Sequence, residues 1–153
     1  MNGERNGKGK EFDYNGKLIF EGEYLNGERN GKGKEYIDNG YFIFECEYYN
    51  GKKIGKGKQY FSDGILKFEG EYLNGERNGN FKKYFRNGKL SCEGIYKNDK
   101  KNGNFKEYNN DGKLIFDDEY INGKRHGKCK DYYNKMIFEG EYLNRKIWNG
   151  KFR

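Results

Sequence analysis

The sequence predicts an all-β protein, an elongated single-layer twisted antiparallel sheet of tandem β-hairpins. Three observations carry that expectation. A tetrapeptide returns at a nearly fixed interval. Asn-Gly and Asp-Gly pairs punctuate every interval twice. The runs between them alternate in polarity and are too short and too rich in glycine for helices. Composition alone points elsewhere: 33% of the 153 residues are hydrophobic, 36% are charged, there is no proline, and the net charge is +7. That balance resembles a disordered chain, but fifteen tyrosines, twelve phenylalanines and a strict repeat supply what a disordered chain lacks.

The repeat is anchored at Glu21-Gly22-Glu23-Tyr24 and returns at Glu45, Glu69, Glu93, Asp117 and Glu139, at intervals of 24, 24, 24, 24 and 22 residues. A fixed period in this range marks an array in which each unit packs on its neighbours. No linker interrupts it, so residues 1–153 read as a single array. One turn signal is Asn26-Gly27, recurring at Asn50-Gly51, Asn74-Gly75, Asn98-Asp99 and Asn122-Gly123. The other is Asn15-Gly16, recurring at Asn39-Gly40, Asp63-Gly64, Asn87-Gly88 and Asp111-Gly112. Both suit the positive φ angles of tight hairpins.

Period-two alternation sorts the side chains. Leu18, Phe20, Gly22 and Tyr24 share one face, while Ile19, Glu21 and Glu23 share the other. The apolar supply is too small for two packed sheets, so one sheet carries a thin aromatic line. Gly22 and Gly33 then become places where a neighbouring ring lies on bare backbone. At two strands per unit the array advances roughly 10 Å per repeat.

The run Phe20-Glu21-Gly22-Glu23-Tyr24-Leu25-Asn26-Gly27-Glu28-Arg29-Asn30-Gly31-Lys32-Gly33 resembles the MORN repeat, and six such units stand in register. From Gly79 onward the second glycine of Gly-x-Gly becomes aromatic, as in Gly79-Asn80-Phe81 and Gly103-Asn104-Phe105, which is similar to the MORN-like variant of bacterial proteins. The resemblance implies a MORN repeat solenoid with a groove along one face and a non-catalytic role in binding proteins or membranes. Two departures stand out: the stretch from Asn134 to Met136, and Asn144-Arg145 in place of Asn-Gly.

Residue chemistry points the same way. His126 is the only histidine and lies in the column of Asn30, Ile54, Asn78 and Asn102, so it reads as a turn residue. Without a second histidine no metal site of the usual type has a framework. Cys46, Cys92 and Cys129 each replace a packing residue of the repeat and do not cluster. Ser62 and Ser91 are the only hydroxyl nucleophiles besides tyrosine, neither near His126 in register. Carboxylate pairs such as Glu21/Glu23 recur from unit to unit, as cross-strand partners for lysine do and as an active site does not. Gly31-Lys32-Gly33 lacks the following helix that a phosphate loop needs. The expectation is therefore a chain with no catalytic residues, no metal and no cofactor.

The leading functional expectation is a scaffold that binds a protein or peptide partner along an aromatic groove formed by Tyr24, Tyr48, Tyr72, Tyr96, Tyr120 and Tyr142. The alternative is a peripheral membrane module. Lys34, Lys58, Lys82, Lys106 and Lys130 form a ladder, extended by Lys10 at one end and Arg153 at the other. Such a ladder could meet anionic phospholipid, each lysine contributing about 1 kcal/mol before screening. Nucleic acid is the weakest fit, because the aromatics that would stack on bases are already used by the repeat core. Both ends of the sequence fall in half-units, leaving edge strands able to pair with a second copy. No apolar run reaches the length of a membrane span and the start has no signal-peptide pattern, so the expected location is cytoplasmic.

Overall fold

A computed structural model describes residues 3–37, 41–133, 136–143 and 146–153. The turn at Asn39-Gly40 and the departures at Asn134-Lys135 and Asn144-Arg145 lie outside the described residues. The strands are β1 (Gly7–Phe12), β2 (Leu18–Leu25), β3 (Glu28–Ile37), β4 (Phe42–Tyr49), β5 (Lys52–Phe61), β6 (Leu66–Leu73), β7 (Glu76–Tyr84), β8 (Leu90–Lys97), β9 (Lys100–Tyr108), β10 (Leu114–Ile121), β11 (Lys124–Tyr133), β12 (Met136–Leu143) and β13 (Lys146–Phe152). They form one antiparallel sheet whose strand order is the order of the chain. The described residues include no helix. The chain divides into two compact units, residues 1–76 and 77–153.

Two turn types alternate, for different physical reasons. Between β2 and β3, Asn26 and Gly27 both take positive φ, +50° and +81°, the two-residue hairpin turn whose twist matches that of the strands. The Gly27 N–H donates to the Arg5 carbonyl at 2.9 Å, and Gly51 and Gly75 repeat this bond to Arg29 and Lys53. Each short turn is thereby tied to the repeat before it. Between β1 and β2, Asp13 opens a longer turn: its Oδ1 accepts from the Asn15 and Lys17 N–H groups, both at 2.9 Å, and only Gly16 takes positive φ. Gly31, Gly55, Gly79, Gly103 and Gly127 also have positive φ, yet they sit inside strands. Gly31, Gly55, Gly103 and Gly127 mark a bulge on β3, β5, β9 and β11, where extra residues oppose a single residue of the preceding strand; in the first unit Gly22 pairs with Gly33 while Tyr24 already pairs with Arg29. His126 precedes one of these bulge glycines within β11.

The alternation of β2 holds. In the first unit Phe20, Tyr24, Phe44, Tyr48 and Phe68 are buried on one face. Their rings meet edge to face, Phe20 with Tyr24 at 5.8 Å and with Tyr48 at 5.3 Å between centroids. Phe20 can lie flat on the sheet because Gly33 has no side chain: a Cβ there would come within 2.5 Å of the ring. In the second unit the exchange runs the other way. Cys92 stands where Phe20 stands in its repeat and Phe105 where Gly33 stands. Phe105 now covers Gly94, where a Cβ would again come within 2.5 Å of the ring. In this repeat the change from Gly-x-Gly to Gly-x-Phe is thus a transfer of the ring from β8 to β9.

Candidate functional site

The sheet offers two surfaces of different chemistry. On the aromatic face the structure places Tyr24, Tyr48 and Tyr96 in the core, at 5%, 2% and 8% exposure. Tyr72, Tyr120 and Tyr142 are half-buried. The first three rings therefore hold the fold together and offer a partner little surface. Burial pushes the Tyr48 hydroxyl far above the usual phenol range, reinforced by the charge of Glu35.

Above these rings lies a layer that sequence reasoning missed. Arg29, Lys53, Arg77, Lys101 and Arg125 recur every 24 residues and place their cations over rings. Arg29 is 3.8 Å from the Phe20 centroid, Lys53 4.5 Å from Phe44, Arg77 4.2 Å from Tyr96 and Lys101 4.5 Å from Phe105. Carboxylates tie the cations together. Arg29 pairs with Glu11 at 2.8 Å and Glu35 at 2.9 Å, and Lys53 pairs with Glu35 at 2.7 Å. The Arg29 hydrogen bond holds the Glu11 carboxyl below its ordinary value. The signal was present as the basic residue after each Asn-Gly-x, but it reads as part of a turn until the bulge is seen.

The opposite face is charged. In the first unit its groove has a volume of about 710 Å³, with lysines of β1, β3 and β5 alternating with the carboxylates of β2 and β4 over a floor that includes Gly9, Gly22 and Gly33. In the second unit a groove of about 510 Å³ is lined by Asp117, Glu119, Lys128, Lys130, Glu139 and Glu141 among others. The lysine ladder runs along this face, each member opposite a carboxylate. Lys34 faces Glu21 and Glu45, Lys58 faces Glu45 and Glu69, Lys82 faces Glu93, Lys106 faces Glu93 and Asp117, and Lys130 faces Asp117 and Glu139. Lys34 reaches Glu45 at 2.9 Å and Lys130 reaches Glu139 at 2.6 Å. Those hydrogen bonds raise both ammonium pKa values. Tyr36 joins the face by donating to Glu21 at 2.5 Å, which pushes its hydroxyl up to about 12.

One member of the ladder is corrected. Counting from Asn149-Gly150 puts Arg153 at its end, but the register sets Lys151 opposite Glu139 and Arg153 opposite Ile137, although the Arg153 guanidinium still reaches Glu139 at 3.7 Å. The bulge of β13 contains Trp148 alone between the positions opposite Glu141 and Tyr142, fewer residues than the bulge of β3. The count therefore slips where the register does not.

The second unit also holds a buried carboxyl pair. Asp118 replaces the glycine of the anchor and is 2% exposed; Asp131 is 4% exposed. Arg125 reaches Asp118 Oδ2 at 2.9 Å. Burial pushes the Asp118 carboxyl up to about 6, with Asp131 and Glu107 reinforcing and Arg125 opposing. The cysteines are free thiols, Cys46 and Cys129 buried and Cys92 half-buried, and burial pushes Cys92 and Cys129 up to about 11, away from thiolate chemistry at neutral pH. Among the described residues, no group of three or more His, Cys, Asp or Glu side chains is placed to hold a metal ion, and no helix is long and apolar enough to cross a membrane.

The MORN repeat variant matches residues 5–26, 53–74, 77–98 and 101–122, and the MORN repeat matches residues 20–40 and 119–130. No curated protein matches the chain. The repeat is a non-catalytic scaffold element, and arrays of it are generally modules that bind proteins or membranes. With these matches over more than half of its length, the chain belongs to the MORN-repeat family.

Proposed function

We propose that the chain is a non-enzymatic scaffold that binds a protein or peptide segment along its charged face. The observation that carries this reading is the groove of the first unit, about 710 Å³ in volume, open along a row of alternating lysines and carboxylates above a partly glycine floor. The glycines let a partner backbone approach closely, and the alternating charges reward a partner of complementary pattern. The buried tyrosines contribute rigidity, so that little conformational freedom is lost on binding. Tyr72, Tyr120 and Tyr142 are the members of the aromatic column that retain surface for a partner.

Selection of random peptides against the full chain tests this reading. Enriched peptides are expected to lose at least tenfold in affinity to the paired charge reversal Lys34→Glu with Glu45→Lys. They should keep their affinity for the Tyr72→Phe variant. Peptides indifferent to the reversal, or no enrichment at all, would overturn it.

A further inference from the structure

One position of the aromatic face has lost its ring. Phe20, Phe44, Phe68, Phe116 and Phe138 occupy the same column of the repeat, and Cys92 alone departs from it. Phe105 does not refill that space, because its ring lies over Gly94, with which it pairs. What is left is a hollow of about 310 Å³ lined by Cys92 together with Phe81, Phe85 and Phe105. That volume falls at the lower end of the range for small-ligand sites. The residues come from β7, β8, β9 and the turn after β7, and all three strands lie inside the sheet. The charges around the hollow are unbalanced. Lys83 stands opposite Cys92 on one side and Glu107 on the other. Lys101 reaches Glu107 at 3.6 Å and sits 4.5 Å from the Phe105 centroid, so the glutamate already has a cation. Lys83 lies 5.6 Å from the Phe81 centroid and pairs with no carboxylate among the described residues.

We propose that this hollow binds a small aromatic acid, a phenyl ring carrying a carboxylate on a short chain. The chain itself shows that a ring fits, since phenylalanine fills the same column in the other repeats. A bound ring meets the edges and faces of rings already in place, the arrangement that aromatic pairs prefer. The carboxylate meets Lys83, the cation left without a partner. A ring bearing an ammonium group would instead face two lysines and one carboxylate that is already engaged, and this sets the selectivity. The site lies on the face opposite the charged groove, so it stands or falls independently of that groove.

The probe is phenylpropanoate, added to the full chain and followed by amide NMR. Saturating shifts are expected in β7, β8 and β9, with a dissociation constant below about 1 mM. Cys92→Phe fills the hollow with a ring of the chain's own and should abolish these shifts. Cys92→Ser keeps the space and should retain them. Phenethylammonium, the same ring with the opposite charge, should bind at least tenfold more weakly. Lys83→Glu should reverse that order, and its binding of the ammonium separates a lost charge from a lost fold. No saturable shift with the unaltered chain would overturn the proposal. So would shifts that persist in Cys92→Phe, equal affinity for acid and ammonium, or shifts centred outside β7, β8 and β9.

Discussion

Arg29 lies over Phe20, its guanidinium carbon 3.8 Å from the ring centroid, while its nitrogens bond both Glu11 and Glu35. The thin core is thus closed from above by side chains that composition counts as polar. Arg29→Ala uncovers the ring and strips two carboxylates of a partner. It is expected to cost about 2 kcal/mol in chemical denaturation. Arg29→Lys should recover part of this, since an ammonium keeps the charge but not the planar fork. A loss under 0.5 kcal/mol for the alanine variant would show the layer to be decoration.

Gly33 tests the packing beneath that layer. A methyl group there meets the Phe20 ring at 2.5 Å and the Tyr48 ring at 3.0 Å. Overpacking of this kind costs about 1–3 kcal/mol. Gly33→Ala is expected to destabilise by that amount, and combining it with Phe20→Leu should cost clearly less than the sum of the two single changes. Strict additivity in a double-mutant cycle would mean that the ring and the glycine do not share one space.

Strands and short turns were legible because the signals are local. Asn26-Gly27 needs no tertiary context to form its turn, and the alternation of Phe20, Gly22 and Tyr24 fixes a face without knowledge of the neighbours. What is not local was harder to read. Arg29 reads as a loop residue until the bulge folds it back over Phe20. Tyr24 and Tyr48 look like groove linings in a one-dimensional pattern. Only the packing of rings from adjacent strands shows that they are consumed by the core. Lys151, and not Arg153, takes the register position opposite Glu139 because a bulge length is set by the pairing of β12 with β13 and not by a motif count.

The ladder leads to a prediction about membranes. A lysine near an anionic surface gains about 1 kcal/mol, but Lys34 and Lys58 each stand between carboxylates of two strands. The unaltered chain is therefore expected to show little retention on phosphatidylserine vesicles at about 150 mM salt, where charges beyond ~8 Å are screened. Changing Glu21, Glu45 and Glu69 to glutamine frees the ladder and should produce salt-sensitive retention. Strong retention of the unaltered chain would establish that local pairing does not neutralise the stripe.

Asp118 gives the fold a pH dependence of unusual sign. Its carboxyl sits in a glycine column, 2% exposed, with Arg125 on one oxygen and the charges of Asp131 and Glu107 opposing ionisation. Burial raises it from the ordinary 3.8 to about 6, so the folded chain binds this proton more tightly than the unfolded one. Its contribution to stability is complete below the unfolded value and is lost as pH rises through the folded one. At 1.36 kcal/mol per unit, the loss across that window is roughly 3 kcal/mol. Glu11 works in the opposite sense, since its depressed pKa gives stability that is lost on acidification. The total profile therefore mixes both signs, and the informative quantity is a difference between variants. Asp118→Asn keeps the shape and removes the charge. Its advantage over the unaltered chain is expected to grow by up to about 3 kcal/mol between pH 4 and pH 7 in urea unfolding. A difference that stays flat across that range would mean that Asp118 ionises as freely in the fold as in the unfolded chain.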